Sequence, residues 1–400
     1  VDRQFGNNPE DFTDPVIISG IGIGGQTTCA VPALGFVVEH RNRVLYVCDS
    51  FGTDYRALEE KWLNALMNNK NTKILWVVGS KYGGTDETMV NFQMNLKTMI
   101  RIWSRFIYGD KDGNGIAEGL FAKLFDEKSL AEKKLANLNL TTEQLQILRI
   151  VFKNLIIITG SKESGSRLAG LKALFDELYD REEDKVISIT MLNNLGGRFQ
   201  GISPNAFVYN ALLGMDVKAM LEAAREVAIL QRREPVYRSK EEAMNLWLSR
   251  VQHLLIAVPN DIIFGRLAEA LGQMVPESTG KGRRAKTPVG IQTYAYDSAV
   301  INKAFKNIKP AGKAYLVLDI KGNEPIRLDK EIESNNLIIR YELKEISEAE
   351  LAKLVQFLED VTANFGIFNT ARALLDKYAE LGSPQSVDLF KEESIIKIMF

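Results

Sequence analysis

"KILWVVGSKYGGTDETMVNFQMNLKTMI", residues 73–100, decides the fold. Its first eight residues are an apolar run with β-branched and aromatic members that closes on glycine and serine, the composition of a strand buried on both faces. From Asp86 onward Leu, Met and aromatic residues recur at a spacing of three to four as far as residue 107, which is what one buried face of a helix requires. Between the two lies "SKYGGTDET" (80–88), where Gly83 and Gly84 free the backbone and Ser80, Thr85 and Thr88 offer hydroxyls. A strand that passes through such a loop into a helix is half of a βαβ unit, and a chain built from these units forms a parallel sheet with helices on both faces.

The same alternation extends in both directions. Strands are expected at 15–23, 43–49, 154–161 and 185–190, with a further helix at 54–68. Past the polar stretch "QRREPVYR" (231–238), with Pro235 inside it, a second set begins: strands at 253–259, 314–320 and 336–343, and helices at 261–274, 347–364 and 366–380. The expected architecture is therefore α/β, two doubly wound parallel-sheet domains, residues 1–235 and 236–400. A helical, highly charged insertion at about 108–153 belongs to the first. Within that insertion Thr141 and Gln144 have the spacing of a capping box that opens a helix.

Composition narrows the function classes. A net charge of −1 over 400 residues gives no general field for nucleic acid or an acidic membrane surface. Two cysteines, Cys29 and Cys48, are too few for a disulfide framework, and "VDRQFGNNPEDF" has neither the basic nor the apolar part of a signal peptide, so a cytoplasmic location is expected. Asp110, Asp112 and Asn114 fall at positions 1, 3 and 5 of a calcium loop with Gly115 at position 6. Position 12 is Phe121 where a bidentate acid is needed, and Glu118 at position 9 is the one further oxygen donor, so an Asp/Gly-rich turn is the plainer reading.

In an α/β sheet, ligands bind beyond the carboxyl ends of the strands, where loops enter helix N-termini. The loops after the first and third strands, "GIGIGGQTT" (20–28) and "SKYGGTDET" (80–88), have that form, and Lys81 adds a charge. Neither is a Walker A loop, and the first lacks the spacing of a dinucleotide fingerprint. "LNNLGGRFQGISPNAF" (192–207) sets Arg198 directly after a glycine pair, a placement suited to bidentate recognition of an oxyanion. "QMVPESTGK" (273–281) holds one acid, Glu277, between a proline and a polar run that turns basic.

These segments, "GIGGQ" (22–26), "SKYGGTDET" (80–88), "GGRFQGISP" (196–204), "QMVPESTGK" (273–281) and "SPQSVDLFK" (383–391), stand in an order and spacing that resembles the motifs of the glucose-6-phosphate isomerase family. The resemblance spans about residues 15 to 391. It implies interconversion of an aldose phosphate and a ketose phosphate in glycolysis and gluconeogenesis, without metal or organic cofactor, by a homodimer whose partner is a small sugar phosphate. It implies that Ser80, Lys81 and Thr85 hold the phosphate, that Gly25, Gln26 and Gln385 line the sugar site, and that Arg198 and Gln273 face the reacting carbons. Glu277 would be the base and Lys391 would sit near the ring oxygen.

Several positions depart from the family pattern. Gln26 and Gln200 stand where serines are usual, Tyr82 replaces a small hydroxyl residue, and the last motif is one residue short between Gln385 and Lys391. "TPVGIQTYAYD" (287–297) has Thr293 where the family's ring-opening histidine is expected. The chain's two histidines, His40 and His253, lie in or beside apolar runs and read as structural. A non-catalytic sugar-phosphate-binding relative, structural or regulatory, is the competing expectation.

Overall fold

The computed structural model describes residues 14–22, 42–48, 52–80, 86–109, 115–124, 134–160, 166–191, 201–234, 237–249, 251, 253–259, 267–268, 271, 274–275, 290–295 and 313–380. The chain is α/β with two parallel sheets, and it divides into two compact units, one ending at Met215 and the other running on from Asp216.

The first unit is built on β1 (Val16–Ile21), β2 (Arg43–Val47), β3 (Lys73–Ser80), β4 (Leu155–Thr159) and β5 (Ile187–Thr190), in the order β2-β1-β3-β4-β5 with every pairing parallel. All five strands fall where the apolar runs predict them. The central three are buried along almost their whole length, because helices cover both faces and an unbroken run of Val, Ile and Leu is then the stable composition. Helices α1 (Tyr55–Asn68) and α2 (Asp86–Tyr108) flank β3 in sequence. Trp76 of β3 is fully buried, stacks on Phe92 of α2 at 5.4 Å between centroids and donates its indole N–H to the Val151 carbonyl at 2.9 Å, so its one polar atom is satisfied inside the core.

The helical insertion is present as α3 (Ile116–Leu124), a short 3₁₀ turn at Leu135–Asn137 and α4 (Thr142–Lys153). The capping box forms as the sequence predicts: Thr141 Oγ1 accepts from Gln144 N, and Gln144 Oε1 accepts from Thr141 N. Both new helices lie against α2. Phe152 of α4 stacks on Phe175 of α5 (Arg167–Asp176) at 3.6 Å. The insertion is thus part of the first unit's core rather than an appendage. The unit closes with α6 (Pro204–Leu212), whose last turn is capped by Arg43 Nη1 donating to the Leu212 carbonyl at 2.9 Å.

The second unit contains α7 (Val217–Arg233), α8 (Arg238–Leu248), β6 (His253–Val258), β7 (Gly290–Ala295), β8 (Lys313–Ile320), α9 (Lys330–Asn335), β9 (Leu337–Leu343) and α10 (Glu348–Glu380). Its sheet is parallel in the order β7-β6-β8-β9, so its four strands repeat the arrangement of the first four of the other unit. Two features depart from the sequence reading. β7 appears where no strand is expected, since "GIQTYA" interleaves Gln and Thr with apolar residues and lies at the sheet edge, where burial asks for no continuous apolar run. The helices expected at 347–364 and 366–380 are one continuous helix. A glycine such as Gly366 costs about 1 kcal/mol inside a helix, and burial of Val361, Thr362 and Phe365 just before it offsets that cost.

α7 and α10 lie side by side and run parallel: Asp216 pairs with Glu348, Glu226 with Lys353 at 3.0 Å, and Gln231 with Asp360. The Asp360 carboxylate sits between them. Gln356 Nε2 donates to it at 3.0 Å, and Gln231, with its amide nitrogen turned inward, donates at 2.9 Å. The nearby Tyr237 hydroxyl brings no positive charge, and burial pushes the Asp360 carboxyl up to about 6, with the Gln356 bond pulling the other way. Below about pH 3 the group is protonated folded or unfolded, so no ionisation penalty arises there. As pH rises towards 6 the unfolded chain ionises first, and stability falls. Asp360→Asn is therefore expected to raise unfolding free energy by roughly 2 kcal/mol at pH 7.5 and to leave it unchanged at about pH 3. Urea denaturation at the two pH values is the measurement, and an equal change at both would refute the account.

Candidate active site

The strand order marks one place in the first unit. β1 is followed by β2 on one side of it, whereas β3 is followed by β4 on the other, so the carboxyl ends of β1 and β3 mark a topological switch point, the place where sheets of this kind bind ligands. These are the strands followed by "GIGIGGQTT" and "SKYGGTDET".

Close packing is built into this edge. Gly22, the first residue past β1, has φ +69°, and a Cβ on it would lie on the Thr88 side chain and 2.9 Å from the Gly79 carbonyl oxygen. Thr88 belongs to the first turn of α2, so glycine at 22 lets the end of β1, the end of β3 and the start of α2 meet with no side chain between. Below that point α2 presents a ladder of buried polar side chains to the sheet. Tyr55 Oη donates to Asn91 Oδ1 at 2.9 Å, and Asn95 Nδ2 donates to Ser19 Oγ at 2.6 Å, with Cys48 Sγ 3.4 Å from the same hydroxyl.

Ser80 ends β3 and is nearly buried. Its carbonyl accepts from Thr159 Oγ1 at 2.7 Å, and Thr159 Oγ1 lies 2.5 Å from Ser166 Oγ at the start of α5. Hydroxyl-bearing residues of β3, β4 and α5 are thereby linked along the carboxyl edge. From β5 the chain returns to the same edge: α6 is opened by Ser203 as N-cap and Pro204 as first residue, and the Tyr209 hydroxyl donates to the Val77 carbonyl at 3.3 Å. The N-terminus of α6, directly after the segment that carries Arg198, thus faces the end of β3 beside Gly79.

Of the residues singled out in the sequence, Ser80 and Thr88 are described within this site. Gly25, Gln26, Lys81, Thr85, Arg198, Gln273, Glu277, Gln385 and Lys391 lie outside the described residues, as do Asp110, Asp112, Asn114 and His40. His253 begins β6, and Thr293 lies within β7 in register with Ile256. In the calcium-like stretch, Glu118 pairs with Arg101 at 2.9 Å and Phe121 is in the hydrophobic core. Among the described residues no group of three or more His, Cys, Asp or Glu side chains is placed to hold a metal ion, and no helix is long and apolar enough to cross a membrane.

Sequence reasoning missed Gly79, Asn205, Thr159 and Ser166. For Asn205 a signal existed: the Ser-Pro pair at 203–204 is a helix-opening signature that sets the start of α6. What it packs against is a tertiary fact.

No protein-family model matches the chain, and no curated protein sequence matches it. Among solved structures it is similar to a hypothetical protein from Thermus thermophilus, with a TM-score of 0.56 at 18% identity over 88% of this chain and 78% of that one. It is also similar to glucosamine-6-phosphate deaminase from Thermotoga maritima, with a TM-score of 0.44 at 13% identity over 92% and 91%, and to tagatose-6-phosphate ketose/aldose isomerase from Escherichia coli, at 0.41 and 9% over 88% and 81%. What the Thermus structure shares with this chain is the fold.

Proposed function

We propose that this chain is an aldose–ketose isomerase that interconverts glucose 6-phosphate and fructose 6-phosphate through an enediol. The observation that carries the reading is the meeting, at one carboxyl edge, of the ends of β1 and β3 with the start of α6, since these elements flank three of the five motif-bearing segments. In the proposal, Ser80, Lys81 and Thr85 hold the phosphate, where main-chain N–H groups at the start of α2 add to the hydroxyls. Gly25, Gln26 and Gln385 bound the sugar. Glu277 removes the proton from the carbon beside the carbonyl and returns it to the neighbouring carbon, so one carboxylate serves both half-reactions. Arg198, with Gln273, stabilises the negative charge of the enediolate, and Lys391 lies near the ring oxygen. The chemistry needs neither a metal nor an organic cofactor, and the working unit is a homodimer.

The test is a coupled assay for glucose 6-phosphate formed from fructose 6-phosphate by the purified chain. No product at millimolar substrate would overturn the isomerase reading. If the same protein nevertheless bound the substrate, the non-catalytic relative would take its place, a reading favoured by Thr293, which is a strand residue with no imidazole to open the sugar ring. For the phosphate site, Ser80→Ala combined with Thr85→Ala is expected to weaken fructose 6-phosphate binding by roughly 10- to 100-fold, as loss of two hydroxyl donors to a charged group implies. Calorimetry that gives equal affinities before and after would reduce the 80–88 segment to a tight turn.

A further inference from the structure

Ser166 and Thr159 form a directed chain of hydroxyls that ends on Ser80. Ser80 and Thr159 are the last paired residues of β3 and β4, and Thr159 Oγ1 donates to the Ser80 carbonyl oxygen at 2.7 Å. A carbonyl oxygen only accepts, so the one hydroxyl proton of Thr159 is committed there. In the 2.5 Å contact between Thr159 Oγ1 and Ser166 Oγ the serine must then be the donor. Ser166 is the N-cap of α5, yet its side chain makes no capping hydrogen bond to that helix. Serine is favoured at N-caps because its oxygen accepts a first-turn N–H; here the hydroxyl is turned to Thr159 instead. Thr159, Ser166 and Ser80 are 3%, 6% and 9% exposed, and in such surroundings linked hydrogen bonds polarise one another and hold more firmly than in water. A valine at 159 would pack the same space with no hydroxyl to desolvate and would leave Ser166 to cap its own helix. The chain forgoes both gains, and it terminates on the main chain of the first residue of the 80–88 motif.

We propose that Thr159 is a positioning residue for Ser80, with Ser166 holding the Thr159 hydroxyl in place. The chain fixes the Ser80 main chain and with it the direction of the Ser80 Cα–Cβ bond, so the side-chain hydroxyl is presented to a phosphate ester already oriented. This rests on the proposed phosphate-binding role of Ser80 and adds to it two residues outside the five motifs. Neither is asked to touch the ligand; both act through Ser80. A binding group oriented before its ligand arrives loses less freedom on binding. Anchoring it to the end of one strand and the start of one helix keeps that orientation when the ligand leaves.

Calorimetry with fructose 6-phosphate, together with KM and kcat, tests this on Thr159→Val, Thr159→Ser and Ser166→Ala, each made alone and in a Ser80→Ala background. Thr159→Val keeps the branched shape and removes the hydroxyl, and it is expected to weaken binding about tenfold, on KM more than on kcat, as loss of one buried hydrogen bond implies. Thr159→Ser restores the hydroxyl and is expected to bind within about twofold of the parent, while Ser166→Ala leaves the last link intact and loses about two- to threefold. In the Ser80→Ala background Thr159→Val should cost no further affinity, because the hydroxyl it orients is gone. A purely structural threonine gives a lower melting temperature with unchanged affinity, or equal losses in both backgrounds, and either result overturns the inference. Should Thr159→Val not fold, Ser166→Ala carries the same cycle, and parent-like affinity or a loss that persists without the Ser80 hydroxyl is equally fatal. A parent chain that does not bind fructose 6-phosphate at all overturns the underlying assignment of Ser80, an outcome distinct from parent and variants binding alike.

Discussion

Glu277→Gln is expected to lower turnover of fructose 6-phosphate by about 10²- to 10⁴-fold, the range for loss of a general base, while substrate affinity stays within a few-fold of the parent. Glutamine keeps the volume and the hydrogen-bonding reach of the side chain but cannot accept the proton that an enediol mechanism must move between adjacent carbons. Loss should therefore fall on kcat, because the phosphate is held elsewhere and ground-state binding does not depend on the carboxylate. Steady-state rates on the purified variant decide the matter, and a kcat within about threefold of the parent would remove Glu277 from the mechanism.

Gly22→Ala is expected to destabilise the first unit by about 2 to 4 kcal/mol. Two costs add. A left-handed backbone at φ +69° costs a non-glycine residue roughly 1 to 2 kcal/mol. The new methyl group must also displace Thr88 and crowd the Gly79 carbonyl, and overpacking of that kind costs roughly 1 to 3 kcal/mol. Because the displaced atoms border the proposed phosphate site, weaker binding of inorganic phosphate should accompany the loss. Denaturant unfolding of the variant with a midpoint equal to the parent's would show that the backbone at 22 does not hold this conformation.

How far the fold was legible depended on burial. β1, β3 and β4 announce themselves because both faces are covered, so nearly every side chain is apolar and the run ends at glycine or serine. β7 did not, since an edge strand tolerates Gln292 and Thr293. The two helices expected at 347–364 and 366–380 are one, because the residues packed at that point, Val361, Thr362 and Phe365 among them, determine whether the helix continues. For the site, residue types and spacing marked the loops, and the strand order then showed that two of them leave neighbouring strands at a switch point. The fit of Asn205 against Gly79, and of Gly22 under Thr88, joins positions far apart in sequence and has no local signature.

The parallel run of α7 and α10 has an electrostatic consequence. Antiparallel neighbours cancel their peptide dipoles, whereas these two add, so one end of the pair gathers the partial positive charge of two N-termini and the other the partial negative charge of a C-terminus beside a continuing helix. The acidic end-groups fit that sum: Asp216 Oδ1 accepts from Ala219 N at 2.9 Å, Glu348 accepts from Asp216 N across the pair, and Glu350 stands in the first turn of α10. Arg232 and Arg233 close α7 at the opposite end. Asp216, Glu348, Arg232 and Arg233 act as counter-charges to a field that neither helix would generate alone.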